Sequence, residues 1–152
     1  AKPDRSEAAV FRADQQGRVE LVAVRPNVEW VLNEFREKVA DNYHTVVVDG
    51  YGPAALVGDD LEREGFRVQR FDSLGVRKAC ARFYDAVADH DRIQVRADDR
   101  LDAAVANAAR RSSADAWAWS RDVPGGHLLV GMSLAYAAVE LFADVEVQVM
   151  FV

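Results

Sequence analysis

The chain is short of cysteine, of histidine and of basic charge, and each shortage removes a class of function. Cys80 is its one cysteine, so neither a disulfide framework nor a cysteine-ligated zinc site can be built, and a reducing compartment is expected. His44, His90 and His127 stand far apart, with no two at the spacing of metal ligands; surface or capping roles are expected for them. Lys and Arg number 19 against 25 Asp and Glu, a formal net charge of −6. A domain that grips nucleic acid unaided ordinarily carries a basic excess, because phosphate contacts dominate its affinity. No apolar run approaches the roughly 20 residues of a membrane helix, and the opening Ala1-Lys2-Pro3-Asp4-Arg5 lacks signal-peptide character. No membrane association is expected.

Motifs are scarce too. Gly50-Tyr51-Gly52 ahead of a helix start has neither the third glycine of a dinucleotide fingerprint nor the Lys-Ser/Thr of a P-loop. No Ser/His/Asp arrangement stands out. Cys80 sits on an apolar helix stripe, where a free cysteine packs as a small hydrophobe. Trp117 and Trp119 alternate with alanines as on one face of a strand. They could stack bases, but core packing is the stronger expectation.

What is present is an ordinary globular composition of 152 residues, 50% hydrophobic and 29% charged, which predicts one domain over residues 1–152. Residues 7–24 predict a hairpin turning at Asp14-Gln15-Gln16-Gly17. Asn27 is placed to cap a helix bearing Val28, Val31, Leu32, Phe35 and Val39. Pro53 opens the next helix and Gly65 ends it. Val68 to Phe71 reads as a strand, and Asp72 or Ser73 as the cap of a helix carrying Val76, Ala79, Cys80, Phe83, Tyr84 and Val87. A short strand at Ile93 to Val95 and a helix with Leu101, Ala104, Val105 and Ala108 follow. The strand with the tryptophans, an apolar helix from Leu128 to Phe142 and a final strand from Val145 to Val152 complete the chain. A hairpin followed by alternating β and α elements predicts an α/β fold, a mixed sheet covered by helices.

Chemistry points first to Asp49. Thr45-Val46-Val47-Val48 is a β-branched run that reads as a buried strand, and Asp49 lies at its exit, where open α/β sheets collect ligands. Other acids lie at comparable places: Asp115 before a strand and Asp122 in a Pro/Gly loop before the last helix. Asp85 and Asp102 lie on helices, where solvated or capping roles are the default. Three carboxylates converging from such positions could hold two divalent metals about 4 Å apart for phosphodiester cleavage. Arg63, Arg67, Arg70, Arg77, Lys78 and Arg82 crowd the middle, with Arg110 and Arg111 adjacent further on; solvated helix faces are the expectation for both groups.

Several segments together resemble the C-terminal nuclease domain of the large terminase subunit of tailed phages, of a type common in phages of actinobacteria. They are Pro3-Asp4-Arg5-Ser6, Val46 to Ala55, Ala79-Cys80-Ala81-Arg82-Phe83-Tyr84-Asp85, Leu101 to Val105 and Asp115-Ala116-Trp117-Ala118-Trp119. The resemblance implies a ribonuclease H-like fold and a two-metal DNA endonuclease using Mg²⁺ or Mn²⁺. It implies double-stranded DNA as a partner within a packaging assembly, alongside other terminase or portal components, in the cytoplasm of a bacterial host. The family's ATPase motor has no counterpart here, since no Walker lysine motif occurs.

The family uses three acids, and the match to them is uneven. The second corresponds to Asp49, the expected catalytic and metal-binding residue. The first lies on an opening strand a few residues before Pro-Asp-Arg-Ser, ahead of Ala1, so this acid and most of its strand are expected to be missing. The third corresponds to Gly125; Asp122 becomes a metal ligand in its stead only if the loop bends back. One acid of three cannot hold two ions. The expectations are therefore a terminase-like nuclease with impaired catalysis or, alternatively, a non-catalytic interaction or assembly module of prophage origin that keeps the fold. A nucleotide-binding α/β domain, resting on the glycine turn, ranks last. An empty central slot would leave two strand edges unpaired, and the alternating tail Asp144 to Val152 is expected to fill or extend the sheet, in this chain or a neighbouring subunit.

Overall fold

The computed structural model describes residues 1–38, 45–89, 93–113, 116–141 and 149–151. Strands β1 (Glu7–Ala13) and β2 (Arg18–Pro26) form the expected hairpin, with a bulge between Val10 and Phe11. Its turn is held by Asp14, whose Oδ1 accepts from the Gln16 and Arg18 amides at 2.9 and 3.2 Å, and Gly17 takes φ +75° there. Helix α1 (Trp30–Lys38) follows, entered through Asn27, whose Oδ1 accepts from the Glu29 amide. Then come β3 (Thr45–Asp49), α2 (Ala55–Arg63) and β4 (Arg67–Phe71). Helix α3 (Ser73–Ala88) is capped by Asp72, which accepts from the Gly75 amide at 2.6 Å. The rest is β5 (Gln94–Val95), α4 (Asp99–Ala106), β6 (Arg110–Ser113), β7 (Ala116–Trp119), α5 (Gly126–Leu141) and β8 (Val149–Phe151).

Among the described residues, six strands make one mixed sheet in the order β4-β3-β8-β1-β2-β5, and β6 and β7 make a separate ribbon. The expectation for the tail is met at Val149–Phe151: β8 lies between β3 and β1, parallel to the first and antiparallel to the second. Residues 144–148 and Val152 lie outside the described residues.

Strand alternation distributes side chains between two apolar cores, one on each face. Ala8, Val10, Val46 and Val48 pack with Val31, Phe35, Val57 and Leu61 of α1 and α2. Ala9, Phe11, Ala13 and Val47 pack with α3, α4, α5 and β7. Helix α5 is apolar on nearly every side, as a helix enclosed by protein must be. It lies against α3, α4, β1 and β7. Each fully buried large side chain, such as Phe11, Phe35, Leu61 or Leu129, contributes about 1.5–3 kcal/mol.

The structure corrects some expectations. Val87 and Val105 are largely exposed rather than parts of their helices' apolar stripes. Arg110 and Arg111 do not decorate a helix: they lie on β6, paired with Trp119 and Ala118 of β7. The polar Arg-Arg-Ser-Ser run has no strand pattern of its own and is held extended by the apolar β7 beside it.

Candidate functional site

Strand β3 is buried along its whole length, and Asp49 ends it at 6% exposure. A carboxylate so enclosed needs partners, or its desolvation would be unopposed. The turn after it supplies one: the Tyr51 amide donates to Oδ1 at 3.1 Å. The turn is anchored by the Gly50 amide on the Phe71 carbonyl at 2.9 Å and the Ala55 amide on the Gly52 carbonyl at 3.0 Å. A side chain at Gly52 would collide with Oδ2 of Asp49. Gly52 thus makes room for the carboxylate, and Gly50 for the close approach of Arg70 and Phe71 on β4.

The second partner comes from 72 residues away: Nη2 of Arg121 donates to Oδ2 of Asp49 at 2.6 Å, with both side chains well shielded from solvent. Arg121 belongs to the loop between β7 and α5. That loop starts where the Ser120 amide meets the Ala109 carbonyl at 2.8 Å, and it closes through the Gly126 amide on the Val123 carbonyl at 3.0 Å. Its tightness depends on two glycines. Gly125 takes φ +76°, and a Cβ there would lie 2.6 Å from Ala104 Cβ and 2.8 Å from its Cα. A Cβ on Gly126 would collide with the Ser120 carbonyl.

Asp49 opens onto a cleft of about 290 Å³ whose polar lining includes Asp122, Arg77, Arg111, Arg121 and Ser73. Asp122 and Asp49 therefore share one cleft. Asp122 is exposed, and its amide rests on Ser120 Oγ at 3.3 Å. Arg77 comes from α3 and Arg111 from β6; neither guanidinium has an ion-pair or hydrogen-bond partner among the described residues. Tyr51 stands at the edge, 80% exposed. A larger hollow of about 490 Å³ lies elsewhere, against β2 and β5. Its charges are already matched, Glu20 with Arg12 and Arg96 at 2.7 and 2.6 Å, and Asp14 with Arg18 at 2.6 Å. The Asp49 cleft is the one of the two with uncommitted cations.

This donor set does not fit a pair of divalent ions. Among the described residues no three His, Cys, Asp or Glu side chains gather to hold a metal. Asp49 is bound to a guanidinium, and Gly125, the position that the resemblance would give to a third acid, has no room for a side chain beside Ala104. Asp115, His44 and His90 lie outside the described residues.

The remaining residues singled out by sequence take structural places. His127, expected at the surface or in a cap, is instead buried in the first turn of α5, at 4% exposure. Its Nε2 lies 3.1 Å from Glu7 Oε1 without the geometry of a hydrogen bond. Burial pushes its pKa down to about 4, with positive neighbours adding to the effect and Glu7 opposing it. Cys80 is enclosed in the α3 core, and burial raises its pKa, so it is a packed thiol and no nucleophile. Trp119 donates to Ser133 Oγ at 2.9 Å inside the core. Trp117 meets Tyr84 edge-on, and the Arg110 guanidinium covers both rings at 4.2 and 4.3 Å.

No protein-family model, no curated protein and no solved structure matches this chain.

Proposed function

We propose that this chain is a ribonuclease H-like module of phage or prophage origin, related to terminase nucleases, that acts by interaction rather than by catalysis. Its setting would be a DNA-packaging assembly in the cytoplasm of a bacterial host, with double-stranded DNA and terminase or portal components as partners. The observation that carries the reading is the state of Asp49. One carboxylate oxygen is committed to Arg121 and the other to the Tyr51 amide. In a two-metal nuclease that carboxylate must be free to coordinate. Here a guanidinium satisfies the same charge without an ion.

Two further features support it. The mixed sheet with helix-covered apolar faces on both sides is compatible with the fold that the resemblance implies. Gly125, which the resemblance aligns with the third acid, has a conformation suited to glycine.

A second reading, the Mg²⁺- or Mn²⁺-dependent endonuclease, is favoured by one observation, that Asp122 shares the cleft with Asp49. It requires Arg121 to release Asp49 and the loop to swing Asp122 inward. Incubation with supercoiled plasmid and Mn²⁺ separates the two. The expected result is intact plasmid with the wild type and with Asp49→Ala alike. Cleavage by the wild type that Asp49→Ala abolishes would overturn the non-catalytic reading.

A further inference from the structure

We infer that the Asp49 cleft is a metal-independent binding site for a phosphate group, with Arg77 and Arg111 as its anchors and Asp49 as a restraint on its strength. The inference shares the Asp49–Arg121 pair with the function proposed above but does not depend on the absence of catalysis.

Its basis is the charge arrangement in the cleft. Three arginines line it: Arg77 on α3, and Arg111 on β6 and Arg121 in the loop before α5, which are close to each other in sequence. Arg121 spends its charge on Asp49. Arg77 and Arg111 keep theirs, while elsewhere on this surface the arginines are mostly matched, as Arg36 is by Glu64 and Arg70 by Asp59 and Glu62. In an acidic chain of net charge −6, two unmatched arginines lining one concave cleft are a local reversal of sign. Such a concavity focuses the field on an anion, and the planar fork of arginine suits the oxygens of phosphate. The Ser73 hydroxyl and the exposed Tyr51 at the edge add neutral hydrogen-bonding groups. The exposed carboxylate of Asp122, also in the lining, opposes an anion and keeps the site weak.

The Asp49–Arg121 pair gives the site a diagnostic response. In a metal-bridged site, Asp49 holds the ion that holds the phosphate, so neutralising it weakens binding. In an arginine site, Asp49 competes with the phosphate for Arg121, so neutralising it strengthens binding. The two chemistries predict opposite signs for one substitution.

The phosphate can come from a nucleic-acid backbone or be free in solution. The test measures both by titration in EDTA at low salt, with a labelled 12-nucleotide single-stranded DNA as one probe and inorganic phosphate as the other. Binding of either, weakened roughly tenfold by Arg77→Ala and by Arg111→Gln, and strengthened several-fold by Asp49→Asn, is the expected result. A tenfold loss corresponds to one charge-assisted contact of about 1.4 kcal/mol. Binding of the oligonucleotide alone assigns the site to backbone phosphate, and binding of inorganic phosphate alone assigns it to the free ion. No binding of either probe, or binding indifferent to Arg77 and Arg111, overturns the inference. So does binding that appears only with Mn²⁺ and is lost in Asp49→Asn. Arg111 is itself exposed on β6, so Arg111→Gln remains informative should a substitution at buried Asp49 fail to fold. Plasmid cleavage is read separately, so a catalytic protein that still binds phosphate in EDTA contradicts the proposed function and leaves this site intact.

Discussion

Two turns meet at the cleft, and they were built on different terms. The β3–α2 turn carries Asp49 at the end of a buried strand and then Gly50, Tyr51 and Gly52. Apart from the bond that Arg121 donates to Asp49, its hydrogen bonds are local or reach only to the adjacent β4. The β7–α5 turn carries Arg121, Asp122, Gly125 and Gly126, and its defining contacts reach to β3 for Asp49 and to α4 for Ala104. The first turn presents an acid, and the second decides what the acid is paired with. An acid at a strand exit indicates where a site is; the long-range partner indicates which chemistry the site can support.

Substitutions that break the second turn should cost more than those that break the first. The largest effect is expected for Gly126→Ala, because its Cβ meets the backbone carbonyl of Ser120, which cannot rotate away as a side chain would. Overpacking against backbone costs about 3 kcal/mol, or a fall in melting temperature of roughly 10 °C, measurable by calorimetry. A near-neutral outcome would show that the loop relaxes freely and does not fix Arg121.

Acid is expected to act at the start of α5, just after the second turn. His127 is held neutral, with a folded pKa of about 4 against an ordinary value of 6.5. Between these values the unfolded chain binds a proton that the folded chain refuses, so stability falls as pH falls from about 6.5 to about 4. The loss attributable to this group is on the order of 2–3 kcal/mol. Denaturant melts at pH 7 and pH 4.5 should show a steeper decline for the wild type than for His127→Gln; equal slopes would remove His127 from the account.

Arg121→Ala leaves Asp49 enclosed with one oxygen unsatisfied. The expected cost is about 2 kcal/mol, below that of a fully buried pair because the cleft admits water. The double variant Arg121→Ala, Asp49→Ala should regain part of that loss, and a coupling energy near zero in the cycle would deny the pair any energetic reality. In the first turn, Gly52→Ala presses on the Asp49 side chain rather than on backbone. It should cost only about 1–2 kcal/mol. Tyr51→Ser, at 80% exposure, should change stability by less than about 0.5 kcal/mol.

The same contrast explains what could be read from the residues alone. Thr45 to Asp49, the hairpin over 7–24, the buried Cys80, the tryptophan strand and the long apolar helix all declare themselves through local periodicity, and the structure has them where that periodicity puts them. A cap at Asp72 or Ser73 was legible for the same reason, and Asp72 supplies it. Strand β6 was not, because Arg110-Arg111-Ser112-Ser113 is extended only by virtue of β7. Arg121 was missed altogether, since nothing within its own turn names a partner 72 residues earlier. Pro124-Gly125-Gly126 was the available signal: two adjacent glycines after proline mark a turn drawn tight against something. Arg77 and Arg111 looked like solvated surface, and only the folded arrangement shows that they face the same cleft as Asp49.

The central claim is that Arg121, and not a metal ion, satisfies Asp49. Titration of Mn²⁺ into the wild-type protein, followed by isothermal calorimetry or by the loss of free-ion paramagnetic signal, tests it most directly. No stoichiometric binding below the millimolar range is expected, with the same trace for Asp49→Ala. One or two ions bound per chain at micromolar concentration, and lost in Asp49→Ala, would contradict it.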